Sequence, residues 1–540
     1  MSNSNLLRGT FILTLGTYIS RVLGMIYVFP FFALVGEQGS ALYGYGYIPY
    51  TIFLSISTIG VPMAVSKFVS KYNALGDYQT SRRLFGLGMK LMLVTGLISF
   101  TLLYLLAPVL ANIILDGKDL LNSVEDVTNV IRMVSFALLV VPAMSIIRGF
   151  FQGNQSMEPT AISQVVEQLV RIIFLLGSVY IILKVTKGEL SVAVGYATFA
   201  AFIGALGGLA VMAWFWKKRR EGLNQLLEKS LVQNEFSSKE MIKELLTYAG
   251  PFVLVGLAIP IHQLVDTLTF NKAMMSIGNT KKESEFVLSM IQFTIPKLIM
   301  IPVSLATAFG LTLVPAITMA FTDRNRSLLH TQINQSFQVV FFLTLPAVIG
   351  IAVLSDELYA MFYKVDSQGS YLLAWYAPVA ILFALFTITA AILQGIHKQK
   401  LAVISLCFGL LLKIVLNVPL ITWFEGLGSI LATGIGFLGA VMYSLAMIKR
   451  HAKFSYKIFM KRSVLMLIFS IMMMIGILIA LWALSPLIVY SDGRWQAVTL
   501  SLVGVIMGAG IYLYLSYRSG LAGRLLGTRF SVLKREKANG

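Results

Sequence analysis

The sequence predicts an all-α polytopic membrane protein. It should have about fourteen transmembrane helices, arranged as two related six-helix lobes plus two C-terminal helices. Three observations predict this. Of 540 residues, 57% are hydrophobic and 12% charged, with a mean hydropathy of +0.80, whereas a soluble chain carries about 25% charged residues. Apolar runs of roughly 18 residues or more recur along the whole chain, and they are continuous rather than alternating, which fits helices and not a β-barrel. Finally, one stretch recurs. Residues 152–172, QGNQSMEPTAISQVVEQLVRI, align with 394–414, QGIHKQKLAVISLCFGLLLKI, matching Gln-Gly, Ile-Ser, a Leu and the final Ile. Lys413 falls where Arg171 stands, and the same offset lays Ile19 on Ile261 and Arg21 on Gln263.

Taken in order, the apolar runs place helices at about 10–36, 46–72, 84–115, 127–151, 158–184 and 190–216 in the first lobe, residues 1–216. A cytoplasmic linker, 217–241, read as a long polar loop, leads into a second lobe at 242–450. Its helices lie at about 242–275, 286–322, 330–355, 371–394, 400–421 and 425–448. Two unpaired spans follow at about 462–485 and 494–517, within 451–517, and a basic tail closes the chain at 518–540. The first apolar run is full length and lacks a small-residue cleavage site, so it reads as a span and not a cleavable signal.

The net charge of +19 would suggest nucleic acid in a soluble protein. Here the basic residues sit in loops, so no nucleic-acid partner is expected and anionic membrane lipids are. Arg82 and Arg83, 217–220, Arg324 and Arg326, Lys398 and Lys400, 449–462 and the tail carry most of it. They outnumber the opposite loops (Lys118, Lys187, Lys281, Lys282, Lys364, Arg494) by roughly four to one, which predicts that both termini are cytoplasmic. The single cysteine, Cys407, rules out an intramolecular disulfide and a cysteine-based metal cluster.

Ionised groups inside spans are costly, so they mark candidate sites. Arg21 lies too deep in the first helix to snorkel easily, and reads as an anion-binding residue facing a central cavity, a structural ion-pair member or a snorkelling side chain. Glu167 and Arg171 sit four apart on one helical face, with Ser163 one turn earlier. They either neutralise each other or act on substrate, and Glu167 is also a candidate coupling group. His262 and Asp266 repeat that spacing as proton or cation candidates, or as a helix-locking pair. Lys297 follows Pro296 in a helix that Pro296 and Pro302 should kink, as in the broken helices that line transporter cavities. Lys413 is a weaker analogue, and Lys67, Lys90, Arg132 and Arg148 read as interfacial anchors near helix ends. Arg21, Arg171, Lys297 and Lys413 set against Glu167 and Asp266 leave a positive balance, suited to an anionic substrate such as a diphosphate. No phosphate-binding Walker loop, HExxH or GxSxG motif is present, and no large soluble domain, so neither an ATP-driven pump nor an enzyme is expected, and no cofactor or metal.

Ile19-Ser20-Arg21-Val22-Leu23-Gly24, the QGNQ and QVVEQLVR segments, and Pro302-Val303-Ser304-Leu305-Ala306-Thr307-Ala308 followed by Leu313-Val314-Pro315 resemble the MurJ-like lipid II flippases. The likeness is to their Gram-positive YtgP and SpoVB branch, within the multidrug/oligosaccharidyl-lipid/polysaccharide (MOP) exporter superfamily. It covers essentially the whole chain. It implies a two-lobed exporter that works by alternating access, carries undecaprenyl-diphosphate-linked muropeptide (lipid II) to the outer leaflet, and serves the cell-wall synthesis machinery. Arg21 matches the arginine of the family's SRVLG motif, and Lys297 falls where Gram-negative members carry a cavity arginine. Ile26 and the region around Pro49 lack further family arginines, so only Arg21 and Lys297 carry over, with Glu167 and Arg171 as substitutes. The last two helices have no charge inside their spans and, by the same resemblance, would form a groove for the lipid tail.

Three alternatives stay open. They are a flippase for another undecaprenyl-linked saccharide (capsule, teichoic acid or O-unit), a cation-coupled multidrug exporter, and a non-transporting scaffold of the cell-wall machinery. The extra helix pair and the cationic balance disfavour the drug exporter; neutralising Arg21 and Lys297 would separate a flippase from a scaffold.

Overall fold

The computed structural model describes residues 16–526 except 18, 25, 59, 116–121 and 231–236. The start of the first expected helix, Lys118, part of the linker and most of the basic tail lie outside these residues. Among the described residues every regular element is helical, and eleven continuous helices are long and apolar enough to cross a membrane. Among the described residues the expected spans fall on helix, consistent with about fourteen crossings.

Two compact units divide the chain, Met1–Ser289 and Met290–Gly540. In the first unit, helical residues 16–17 and 19–24 lead to α1 (Val28–Thr58), which breaks at Gly36 (φ 65°) where the first expected helix should end. Then follow α2 (Val61–Ala74), α3 (Tyr78–Leu115), α4 (Val124–Ser135), α5 (Ala137–Gly153), α6 (Glu158–Tyr180) and α7 (Leu190–Glu228). The unit closes with α8 (Ser238–Gly256), α9 (Ala258–Ser276) and α10 (Lys281–Ser289). Gly60 enters α2 at φ 100°, and a Cβ there would stand 2.6 Å from Ala249 O, so backbone conformation and close approach both require glycine. The core around it joins α2, α3, α5 and α8 through Val65, Phe68, Leu84, Ile146 and Leu245.

The second unit continues through a π-helical turn, Met290–Thr294, into α11 (Ile295–Thr322). The turn ends next to Pro296, which lacks the amide proton that would continue the regular ladder. Next come α12 (Arg326–Val353), α13 (Ser355–Phe362), α14 (Ser367–Tyr376), α15 (Val379–Gly395) and α16 (Gln399–Ala452). Within α16, Glu425 adopts φ 53°, ψ −128°, and splits it into the two expected helices across a tight turn. The chain ends in α17 (Lys457–Leu484), α18 (Arg494–Arg518) and α19 (Leu521–Leu526). Phe342, Leu354, Met466, Met473 and Tyr512 hold α17 and α18 to α12 and α13.

Hydropathy places several helix starts late because polar caps precede the apolar run. Ser123 with Asp126, and Ser237 with Glu240, form capping boxes, and Asp77 accepts from Thr80 N at 3.0 Å. The expected polar loop after 216 is instead helical to Glu228. Its Lys, Arg, Glu, Gln and Leu residues are good helix formers, and Arg219 anchors it to Ser156 and, at 2.9 Å, to Glu158.

The repeated Gln-Gly segments turn alike. Gln155 (φ 56°) and His397 (φ 58°) are both left-handed. Ser156 N donates to Phe151 O at 2.9 Å, and Lys398 N to Leu393 O at 2.8 Å, in the same helix-ending motif.

Candidate functional site

In the first unit, α6 is the organising helix. Its Ala161, Gln164 and Gln168 lie along one face, and the first helix packs there. Thr17 Oγ1 donates to Gln164 Oε1 at 3.0 Å, a Cβ at Gly16 would meet Ala161 Cβ at 2.7 Å, and one at Gly24 would meet Gln168 Nε2 at 3.2 Å. The small residues of the first helix thus allow close approach. Arg21, on that helix, is exposed.

Glu167 and Arg171 do not pair with each other. Glu167 Oε2 accepts from Arg148 Nη2 at 2.7 Å, and the Arg148 guanidinium also donates to Ser163 Oγ from Nε (3.1 Å) and Nη2 (2.5 Å). Ser163 Oγ donates onward to Gly208 O at 3.1 Å. Arg148 is therefore no interfacial anchor: its side chain is only 14% exposed and ties α5 to α6. The alternative partner across helices was invisible to a reading confined to one helical face.

Arg171, released from Glu167, turns to a tyrosine cluster on α1. Its Nη2 donates to Tyr43 Oη at 3.1 Å and to Tyr47 Oη at 3.0 Å, and the guanidinium carbon lies 5.4 Å from the Tyr47 ring centroid. Tyr43 and Tyr47 stack at 5.2 Å, and Tyr27 Oη lies 3.4 Å from Tyr43 Oη. Arg171 Nε is buried with no hydrogen-bond partner among the described residues, so this guanidinium keeps donor capacity. Gly204 of α7 makes room for it, since a Cβ there would stand 2.8 Å from Arg171 Cβ and from Glu167 O. The aromatic residues 43, 45, 47 and 50 were the signal in the sequence: a tyrosine run inside a span has few uses besides packing and holding a polar group.

His262 and Asp266 are both buried on α9. His262 Nδ1–H donates to Ala258 O at 2.8 Å, which leaves Nε2 as the nitrogen that would exchange a proton. A separate buried network, absent from the sequence reading, links α9, α10 and α1. In it Asn271 Nδ2 donates to Tyr45 Oη at 2.8 Å, and Tyr45 Oη donates to Glu285 Oε1 at 3.1 Å.

In the second unit, Lys297 is half-buried on α11, with its Nζ 5.7 Å from the Phe293 ring centroid. Lys413 is fully buried, and its Nζ donates to Ser429 O at 3.0 Å and Thr433 Oγ1 at 2.8 Å, all within α16. The structure thus groups Arg148, Glu167 and Arg171 in one unit and turns Lys413 into the body of the other. An apolar groove of ≈ 510 Å³ also lies in this unit, bounded by α11, α12, α13, α17 and α18. Pro302, Phe342, Met473, Gly508, Ala509 and Leu513 are among its walls.

Among the described residues no group of three or more His, Cys, Asp or Glu side chains could hold a metal ion.

Comparison with known proteins agrees with this architecture. Residues 6–321 match the family described as polysaccharide biosynthesis protein. The lipid II flippase MurJ of Bacillus subtilis is 54% identical over 532 residues, 98% of each chain. Stage V sporulation protein B of the same organism is 24% identical, covering 82% of this chain and 81% of its own. A solved structure of the lipid II flippase MurJ in an inward closed conformation superposes with a TM-score of 0.64 at 15% identity, covering 96% of this chain and 99% of that one. An inward-facing multidrug resistance MATE transporter of the MOP superfamily gives 0.60 at 15% identity, covering 84% and 98%. At those identities the structures speak for the fold, and the sequence match carries the assignment: the chain belongs to the polysaccharide biosynthesis protein family, as a MurJ-like member with the MOP transporter fold.

Proposed function

We propose that the protein is a flippase that moves lipid II from the inner to the outer leaflet by alternating access, supplying cell-wall synthesis. The observation that carries this reading is the 54% identity, over 98% of both chains, to the lipid II flippase MurJ of Bacillus subtilis. The site chemistry supports it. A diphosphate and carboxylates need cationic donors inside the membrane. We assign that role to Arg171, Arg21 and Lys297. Glu167 serves by holding Arg148, and Lys413 acts from behind the surface, since its ammonium is satisfied inside its own lobe. The apolar groove beside α17 and α18 suits an isoprenoid tail, which has nothing to hydrogen-bond. His262 and Asp266 are our coupling pair, and the distribution of basic residues supports cytoplasmic termini.

The test is depletion of the protein in a Gram-positive host, with access of lipid II to an external probe as the readout. Loss of outer-leaflet lipid II, restored by wild type but not by Arg21→Ala or Lys297→Ala at equal abundance, is the expected result. Unchanged exposure in a host with no second flippase would overturn it in favour of another lipid-linked saccharide.

A further inference from the structure

A second pocket, of ≈ 690 Å³, opens among the ends of α11, α12, α15 and α16, all in the second unit. Arg324, Arg326, His397, His451 and Lys453 line it, and no acidic side chain does among the described residues. Arg324, Arg326, His397 and Lys453 are exposed, and none of the four forms an ion pair among the described residues.

Three of these residues pay a conformational cost to be there. Arg324 (φ 53°), His397 (φ 58°) and Lys453 (φ 51°) are left-handed. Six non-glycine residues in the described chain adopt positive φ, and half of them line this one pocket. Each stands just past a helix C-terminus, where glycine is the unstrained choice. Several carbonyls near these helix ends have partners other than the side chains of Arg324, Arg326 and Lys453, and His451 is itself one of those partners. Asn325 N donates to Ala320 O at 3.0 Å, and Lys398 N to Leu393 O at 2.8 Å. At the end of α16, Ala452 O lies 2.8 Å from His330 Nε2 and Met447 O 3.0 Å from His451 Nδ1.

Nor does the helix dipole absorb the charge. Three C-termini together present at most about 1.5 negative elementary charges, and the first turn of α12, which supplies Arg326 and Leu329, returns about 0.5 positive. Arg324, Arg326 and Lys453 outweigh that difference without counting either histidine. The left-handed turns end their helices; what they leave unexplained is three exposed cations around one open cavity that no acidic side chain lines among the described residues.

We propose that this pocket binds a phosphate-bearing anion. Phosphate geometry matches two guanidinium forks beside an ammonium. The same chemistry is offered by an anionic phospholipid headgroup and by a soluble phosphate compound. None of the proposed transport residues Arg21, Arg171 and Lys297 lines this pocket.

The test uses the full chain in nanodiscs and two triple variants, R324G/R326Q/K453G and R324N/R326Q/K453N. Glycine and asparagine tolerate the left-handed backbone, so both remove charge without adding strain. In one arm, phosphatidylcholine nanodiscs are titrated calorimetrically with sodium pyrophosphate. In the other, nanodiscs of equimolar phosphatidylglycerol and phosphatidylcholine are analysed by native mass spectrometry for retained phosphatidylglycerol. The expected result is wild-type binding in at least one arm that falls at least about tenfold in both variants, with an unchanged or raised melting temperature. The arm that responds identifies the source. Equal binding by wild type and variants, or no binding by wild type in either arm, would overturn the proposal. A lowered melting temperature with unchanged binding would also overturn it, and would return these residues to a helix-end role.

Discussion

Glu167 binds Arg148 at 2.7 Å on the neighbouring helix and leaves Arg171, one turn along its own helix, to Tyr43 and Tyr47. One carboxylate among two arginines thus decides which cation is structural and which remains able to meet an anion. Arg148 is consumed by Glu167 and Ser163; Arg171 holds only neutral hydroxyls and keeps a net positive charge.

Replacing Arg171 tests that division. Arg171→Lys keeps the charge but loses the fork that reaches two tyrosines. We expect it to fold and to move lipid II at least about tenfold more slowly, the rate equivalent of ~1.4 kcal/mol. Outer-leaflet lipid II at matched membrane abundance is the readout, and wild-type exposure would remove Arg171 from the substrate path.

Arg148→Ala should act on stability instead. It strands the Glu167 carboxylate, whose side chain is 24% exposed, at a cost of about 1–3 kcal/mol. Arg148→Met combined with Glu167→Leu should recover most of the loss. Thermal unfolding of wild type, Arg148→Met, Glu167→Leu and the double variant in one detergent gives the cycle, and simple additivity would mean that the pair contributes nothing.

Gly204 and Gly208 separate two kinds of crowding on α7. A Cβ at Gly204 meets Glu167 O, a backbone atom, at 2.8 Å; at Gly208 it meets side-chain atoms only, Met144 Sδ at 2.7 Å and Arg148 Nη2 and Glu167 Cβ at 3.2 Å. Gly204→Ala should therefore cost about 1–3 kcal/mol and displace Arg171. Gly208→Ala should cost clearly less, because the Met144 thioether can move aside. Melting temperatures in the reverse order would show that α6 and α7 can separate freely at Arg171.

His262→Gln should flatten the pH dependence of transport while leaving exchange at a fixed favourable pH largely intact. Nδ1 of His262 is committed to Ala258 O, so a proton carried by this ring for coupling would enter and leave at Nε2, which glutamine lacks. A pH profile in proteoliposomes that matches wild type would exclude His262 from coupling.

Ala509→Trp fills the groove beside α17 and α18 from an exposed position. Transport of a long-chain lipid II should fall severalfold, whereas a short-chain analogue should be spared. Equal loss for both chain lengths would mean that the groove does not hold the tail.

Much of this was legible in the chain. Continuous apolar runs fix helices whatever packs around them, because in hydrocarbon the backbone has no other way to satisfy its amides and carbonyls. The Gln-Gly repeat was equally readable, and Gln155 and His397 share its left-handed turn. The fold class, the span positions and the SRVLG and QVVEQLVR resemblance therefore came from sequence alone. The partners of the charges did not. Spacing on one helix pairs Glu167 with Arg171, since neighbours four apart always face the same way. Only the packing of α5 against α6 brings Arg148 within reach, and only the packing of α1 brings the tyrosines to Arg171. Likewise, basic residues scattered along the sequence at the ends of four different helices become one pocket only when those helix ends converge. Local periodicity is set by the backbone, whereas the choice among equally charged partners is made by distance through space, which a linear sequence does not contain.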